Sequence, residues 1–370
     1  MVNKYLVPSG FKDSLTFDSY AEHKYNNIII KYFRENGFTL IKTPLIEFSD
    51  NLNKNTLQIK TKMRSEKLSI RNDITPQVKR VASSRLAKKK RPLKLCYYGE
   101  VVRKTGTILR PERQFQQVGA EIIGSKSFKA DVEIINLAYE SLKKIGVKNI
   151  VIDVSAPFFI ENLTKKVKNL TKRNSLKKFI KLKDLKSSIS LLDNIEDQII
   201  LKKIYNCSGP IKNKKKELLS LVDTIGYKKE VNTLLKIAEL IKVDKGDMIN
   251  IDLFEIQNEK YYEGLKFVFF ASGVRGEIAR GGRYLLKYND NLETATGFAC
   301  FMDTILRASS FENKNKRILI PFNTPKKIKK SLINNGYSIF TSFDENVDLK
   351  LESREFNISY YLKNNKIKKS

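Results

Sequence analysis

Histidine is nearly absent: the 370 residues hold one, His23. It stands among polar residues near the start of a helical pattern. No carboxylate or cysteine set nearby makes it a relay or a metal ligand, so it reads as a surface side chain. Cysteine is scarce, odd in number and widely spaced, at Cys96, Cys207 and Cys300. That argues against a disulfide framework or a zinc site, and fits a reducing cytoplasm. No metal and no other cofactor is expected. No apolar run is long enough to span a bilayer, and Met1-Val2-Asn3-Lys4-Tyr5 lacks the apolar core of a secretion signal. A cytoplasmic protein away from membranes is expected. Acidic residues are also short, 40 against 70 lysines and arginines, leaving a net charge of +30. Clustered cations would release counterions from phosphates. Here the lysines are spread widely and travel with asparagine and isoleucine, and a cationic helix face is ordinarily solvated. Nucleic acid is therefore not expected as the main partner.

What is present centres on residues 95–124. Leu95-Cys96-Tyr97-Tyr98-Gly99-Glu100-Val101-Val102-Arg103 and Arg113-Gln114-Phe115-Gln116-Gln117-Val118-Gly119-Ala120-Glu121-Ile122-Ile123 are rich in aromatic and β-branched residues. The intervening 104–111 holds Gly106 and Pro111 and reads as a loop. The segment predicts a long antiparallel hairpin. Strand alternation puts Arg113, Phe115, Gln117, Gly119 and Glu121 on one face, and Gln116, Val118, Ala120 and Ile122 on the face that can pack on helices. The first face carries a cation, an amide, a carboxylate and a close-approach glycine, with Arg103 able to add a second cation. That suits a small zwitterion; a solvated surface hairpin would read the same way.

Around it, residues 20–37 predict a helix, with Tyr25, Ile28, Ile29, Tyr32 and Phe33 at helical spacing and Gly37 as its stop. Residues 38–47 predict a strand broken by Pro44. A short strand then runs to Arg71, followed by Asp73, Thr75 and Pro76; Thr75 suits a helix N-cap. Residues 131–145 predict a helix and 149–155 a strand. Residues 160–245, rich in Lys, Leu and Ile, predict a helical insertion, and 250–254 returns to strand character. The last unit, 311–370, reads as strand, helix, strand and a lysine-rich tail. The expected domains are 1–159 and 246–310 as the two parts of one core, 160–245 as an insertion, and 311–370 as a small α/β unit.

Arg103, a loop, and then Arg113-Gln114-Phe115-Gln116-Gln117-Val118-Gly119-Ala120-Glu121 resemble motif 2 of class II aminoacyl-tRNA synthetases, in their histidyl branch. The helix, Gly37, strand and Pro44 are similar to motif 1, which builds a dimer interface in that family. Arg71-Asn72-Asp73-Ile74-Thr75 resembles the family's Arg-Pro-Glu-Gly-Thr, which holds the amino group of histidine. Tyr261 and Tyr262 match the tyrosine pair that frames the imidazole. Gly281-Gly282-Arg283-Tyr284 is also shared, and residues 295–304 stand where motif 3 should be. The resemblance implies an α+β fold, an antiparallel class II sheet flanked by helices. It also implies a homodimer core and a histidine pocket of Asp73, Thr75, Arg103, Gln117, Glu121, Tyr261 and Tyr262.

The departures fall on the nucleotide side. Gln257 and Thr304 stand where that family has arginines, Phe301 where it has a glycine, and Thr105 where it has an acidic residue. Transition-state charge on a phosphate needs preorganised cations. The unit after residue 310 is shorter than the family's anticodon-binding domain. This combination resembles a non-catalytic branch, the regulatory subunits of ATP phosphoribosyltransferase in histidine biosynthesis. The resemblance implies a hetero-oligomer with the short catalytic subunit, activation of that subunit, and inhibition by L-histidine, with no catalytic residue of its own. The rival expectations are a divergent histidyl-tRNA synthetase, a tRNA-binding paralogue, and a scaffold that has lost its ligand.

Overall fold

The computed structural model describes residues 5–52, 56–60, 66–225, 228–254, 262–288, 291–309, 316–344 and 347–370. The chain opens with α1 (Thr16–Glu35), β1 (Thr39–Leu40) and β2 (Ile46–Phe48), then β3 (Leu57–Ile59), β4 (Leu68–Ile70) and α2 (Thr75–Ser83). The central hairpin is β5 (Leu93–Val102) and β6 (Gln114–Ile123), and α3 (Phe128–Lys144) and β7 (Ile150–Ser155) follow. Six helices come next: α4 (Phe158–Lys166), α5 (Leu170–Lys181), α6 (Leu185–Ser190), α7 (Ile195–Asn206), α8 (Ile211–Ile225) and α9 (Lys228–Leu240). The two-residue β8 (Gly209–Pro210) interrupts them. The sheet resumes with β9 (Met248–Ile251), β10 (Tyr262–Ala271), β11 (Ala279–Tyr288) and β12 (Asn291–Phe301), which runs into α10 (Met302–Ala308).

Nine strands form one sheet in the order β1-β5-β6-β12-β11-β10-β7-β9-β8. The pairs are antiparallel except β1 with β5 and β7 with β9. The mixed α+β architecture is the expected one, and the central hairpin pairs in register from Leu93↔Ile123 to Val102↔Gln114. α1 buries Ala21, Tyr25, Ile29 and Phe33, a stripe at four-residue spacing. Phe33 meets Phe298 of β12 edge-on at 5.6 Å between ring centroids. On the opposite face of the sheet, Ile74, Val78 and Ala82 join Tyr97, Phe115, Tyr284 and Phe301 in a second core. α2 is the lid over that face. Alternation along β11 divides its neighbours. Arg283 turns away to Asp131 of α3, Nη2 to Oδ2 at 2.9 Å, while Tyr284 turns to the α2 face.

Asp247 anchors the return from the helical segment. It accepts from Tyr139 Oη at 2.7 Å, Lys143 Nζ at 2.9 Å and the Ile150 backbone N–H at 2.7 Å. Burial alone would raise its carboxyl, but these donors together hold it below the ordinary carboxylate value. A carboxyl lowered in the folded state contributes stability above its unfolded value, and that contribution is lost as pH falls through the folded value. Asp247→Asn is therefore expected to cost about 2 kcal/mol at pH 7. The difference from the parent should shrink below about pH 4, as read from urea midpoints across pH.

Residues Phe311–Ser370 form a separate compact unit. It holds β13 (Lys316–Pro321), α11 (Lys326–Asn334), β14 (Tyr337–Ser342), α12 (Leu349–Glu355), β15 (Tyr360–Lys363) and β16 (Lys366–Lys369). The lysine-rich stretch read as a tail is instead the antiparallel hairpin β15–β16. Its turn places Asn364 and Asn365 at φ 50° and 57°, which asparagine tolerates and two-residue hairpins require.

Candidate functional site

The α2-facing surface of β5, β6, β11 and β12 carries a lane of small residues: Gly99 opposite Gln117, Gly119 opposite Tyr97, and Gly297 opposite Glu121. Larger side chains lie across that lane. The Tyr97 hydroxyl stands 2.5 Å from where a Cβ on Gly119 would be, and Glu121 Oε2 stands 1.6 Å from a Cβ on Gly297. The glycines are needed so that the phenol and the carboxylate can lie flat on the sheet.

Over this floor the segment before α2 comes down. Asp73 Oδ1 accepts from Gln117 Nε2 at 2.8 Å and from the Thr75 backbone N–H at 3.2 Å. Gln117 Oε1 accepts from the Ile74 N–H at 2.8 Å. The start of α2 is thus satisfied by Asp73 and Gln117, not by Thr75. The N-cap expected of Thr75 is corrected: Ile74 holds that position, with no side-chain cap. The Thr75 hydroxyl faces the floor, 3.2 Å from Tyr97 Oη. Glu121 is buried and accepts from Tyr284 Oη at 2.9 Å. Burial pushes its carboxyl up to about 8; Asp73 adds to the rise, and Tyr284, Lys79 and Thr75 oppose it. Asp73, Thr75, Gln117 and Glu121 therefore come together in one polar cluster.

Arg103 stands in a different cluster. Its guanidinium lies 4.6 Å from the Phe115 ring centroid and 5.6 Å from that of Phe301. Burial, then Arg110 and Arg280, lowers it to about 10. Arg113, expected as the cation of the floor, is spent elsewhere. It donates to the carbonyls of Arg103 and Ser9, both at 3.2 Å, and lies over Phe11. Its residue precedes β6, so strand alternation does not govern it. Tyr261 lies outside the described residues, as does Gln257. The backbone of Tyr262 pairs with Tyr284 at the start of β10.

At the end of β12, the side where the nucleotide-facing groups were expected, the ring of Phe301 is buried and meets Phe115 edge-on at 6.0 Å. Arg110 folds back from the 104–111 loop onto it, 3.9 Å from guanidinium carbon to ring centroid. Arg110 holds Asp303 through Nη2 at 2.8 Å and Nε at 3.1 Å. Neighbouring Thr304 is fully buried. An aromatic ring and a neutralised ion pair thus fill this end of the face.

Sequence reasoning missed Lys79, Tyr97, Tyr284 and Arg110 as members of these clusters. Lys79 is four residues after Thr75, on the same helix face. Tyr97 is paired with Gly119, and Tyr284 lies in register with Ala295; small partners opposite a large polar ring were the available signal. Nothing local marked Arg110, because a buried arginine in a loop depends on a carboxylate 193 residues away.

The sheet, the lid helix and the pocket define a class II protein of the histidyl-tRNA synthetase type. The histidyl-tRNA synthetase family matches residues 10–305. The ATP phosphoribosyltransferase regulatory subunit of Rhodospirillum centenum is 31% identical, over 94% of this chain and 92% of its own. A regulatory subunit/histidyl-tRNA synthetase of Bacillus halodurans superimposes with TM-score 0.80 at 19% identity, covering 95% of this chain and 96% of that one. The ATP phosphoribosyl transferase (HisG:HisZ) complex of Thermotoga maritima gives TM-score 0.61 at 19% identity over 76% of this chain and 97% of that chain. The chain belongs to the ATP phosphoribosyltransferase regulatory subunit family.

Proposed function

We propose that this protein is the non-catalytic regulatory subunit of an ATP phosphoribosyltransferase, activating the short catalytic subunit and carrying the site through which L-histidine inhibits it. The observation that carries this reading is the unequal state of the two ends of one sheet face. Asp73, Thr75, Gln117 and Glu121 converge on a polar pocket, while Phe301, Arg110 and Asp303 pack solidly at the other end. A pocket that binds an amino acid without activating it can act only by favouring one conformation of a complex. Two carboxylates suit an ammonium and an imidazole N–H. The alternative of a divergent histidyl-tRNA synthetase is not favoured, since the relatives that share most of the chain are regulatory subunits.

A homodimer through the motif 1 region is part of the reading. Phe48 of β2 is 52% exposed and Ile46 and Leu45 are exposed beside it, an apolar edge that association would cover. Cys96, Cys207 and Cys300 are free and buried, which suits a cytoplasmic setting. Among the described residues no helix is long and apolar enough to cross a membrane.

The test is phosphoribosyl-ATP formation by the short catalytic subunit, with and without this protein, across an L-histidine titration. The rate is expected to rise on adding the protein and to fall again with histidine. An unchanged rate with well-folded protein would overturn the proposal.

A further inference from the structure

Lys79 is a charged member of the cluster that neither the motif resemblance nor the proposed function uses. It projects from the second turn of α2, on the face that carries Thr75. Its ammonium lies 4.1 Å from the centroid of the Tyr284 ring. The hydroxyl of that same ring donates to Glu121 Oε2 at 2.9 Å. Cation and carboxylate are thus held against one phenol. Asp73, in the segment leading into α2, is the second carboxylate acting on this ammonium. Burial lowers Lys79 to about 8, against the pull of Glu121 and then Asp73.

A buried carboxylate needs a counter-charge or a proton. Glu121 on β6 has neutral hydroxyls from Tyr284 and Thr75, and its attractive charge is Lys79. The pocket's two acidic groups are therefore already met by a cation on a flexible stem. An amino-acid ligand brings N–H groups and a positive charge to the same carboxylates. Two ammonium groups repel at this range, and the half-buried setting screens them little. Lysine can yield in two ways, by swinging its four-carbon stem or by losing its proton.

We propose that Lys79 is a tethered occupant of the pocket, holding the position beside Glu121 that the N–H groups of an amino-acid ligand must take. It therefore sets how tightly L-histidine binds. This rests on the reading of the pocket as a histidine site, and the test separates the two. Isothermal titration calorimetry would measure L-histidine and L-histidinol binding to the full-length protein as wild type, Lys79→Met and Lys79→Arg. Lys79→Met is expected to tighten both ligands roughly tenfold, and Lys79→Arg, whose guanidinium keeps its charge, to tighten neither. Histidinol keeps the ammonium and imidazole but lacks the carboxylate, so it reports on competition for Glu121 and Asp73 alone. If the wild type binds histidine and Lys79→Met weakens histidine but not histidinol, Lys79 contacts the ligand carboxylate and the occupant role is overturned. Unchanged affinity for both ligands also overturns it. If no form binds either ligand while all melt cooperatively, the histidine site itself is overturned, and this role with it. Should Lys79→Met fail to fold, Lys79→Gln keeps a polar, uncharged end on a stem one atom shorter and carries the same expectations.

Discussion

Asp303→Ala is expected to cost about 3–5 kcal/mol of stability, read from the urea midpoint at constant slope. Asp303 holds the Arg110 guanidinium through contacts of 2.8 and 3.1 Å, and the two side chains are only 2% and 4% exposed. The other carboxylate on Arg110, Glu277, stands at 3.5 Å. Removing Asp303 leaves a buried cation against the Phe301 ring with most of its charge unmet. Converting both partners together, Arg110→Met with Asp303→Leu, should cost much less than the two single changes summed, because no charge is stranded. An exposed pair gives the contrast. Lys31 and Glu35 of α1 are 3.8 Å apart and mostly in solvent, so Glu35→Ala should move stability by less than about 1 kcal/mol. Equal effects at the two sites would contradict the buried, neutralised packing on which the inert end of the sheet face depends.

Glu121→Ala is expected to raise the L-histidine concentration needed for half-inhibition of the complex by about a hundredfold. Its carboxylate is a buried acceptor of the site, and alanine leaves both the Tyr284 hydroxyl and any ligand N–H without their shared partner. Glu121→Gln keeps shape and one acceptor, so its loss should be smaller. A cooperative melt by the variants serves as the fold control. Inhibition at an unchanged histidine concentration would move the ligand site off this face.

The Arg110 and Lys79 clusters also mark how far local pattern could reach. The central hairpin was legible because aromatic and β-branched alternation runs uninterrupted on both sides of a glycine- and proline-bearing loop. Gln117 and Glu121 followed from it, since alternate residues of one strand must share a face. Asp73 and Thr75 entered the candidate site only by their resemblance to a known segment, and the one role read locally there, Thr75 as the N-cap of α2, did not hold. Asp73 caps α2 and Thr75 faces the pocket, because the carboxylate had Gln117 from another strand to align it.

Residue order by itself determined the central hairpin, the amphipathic helices and the sheet face shared by Gln117 and Glu121, because those depend on periodicity over a few neighbours. It also determined that Phe301 and Thr304 replace the glycine and arginine of the resembling family. Only the tertiary structure decided what those replacements do. Phe301 could have opened a cleft or filled one, and it fills one because Arg110 and Phe115 close on it from the hairpin. Likewise the charge of Lys79 is evident from the sequence, but its placement against Tyr284 beside Glu121 is not. That placement joins three elements distant in the chain, and interactions of this kind are set by packing, not by local preference.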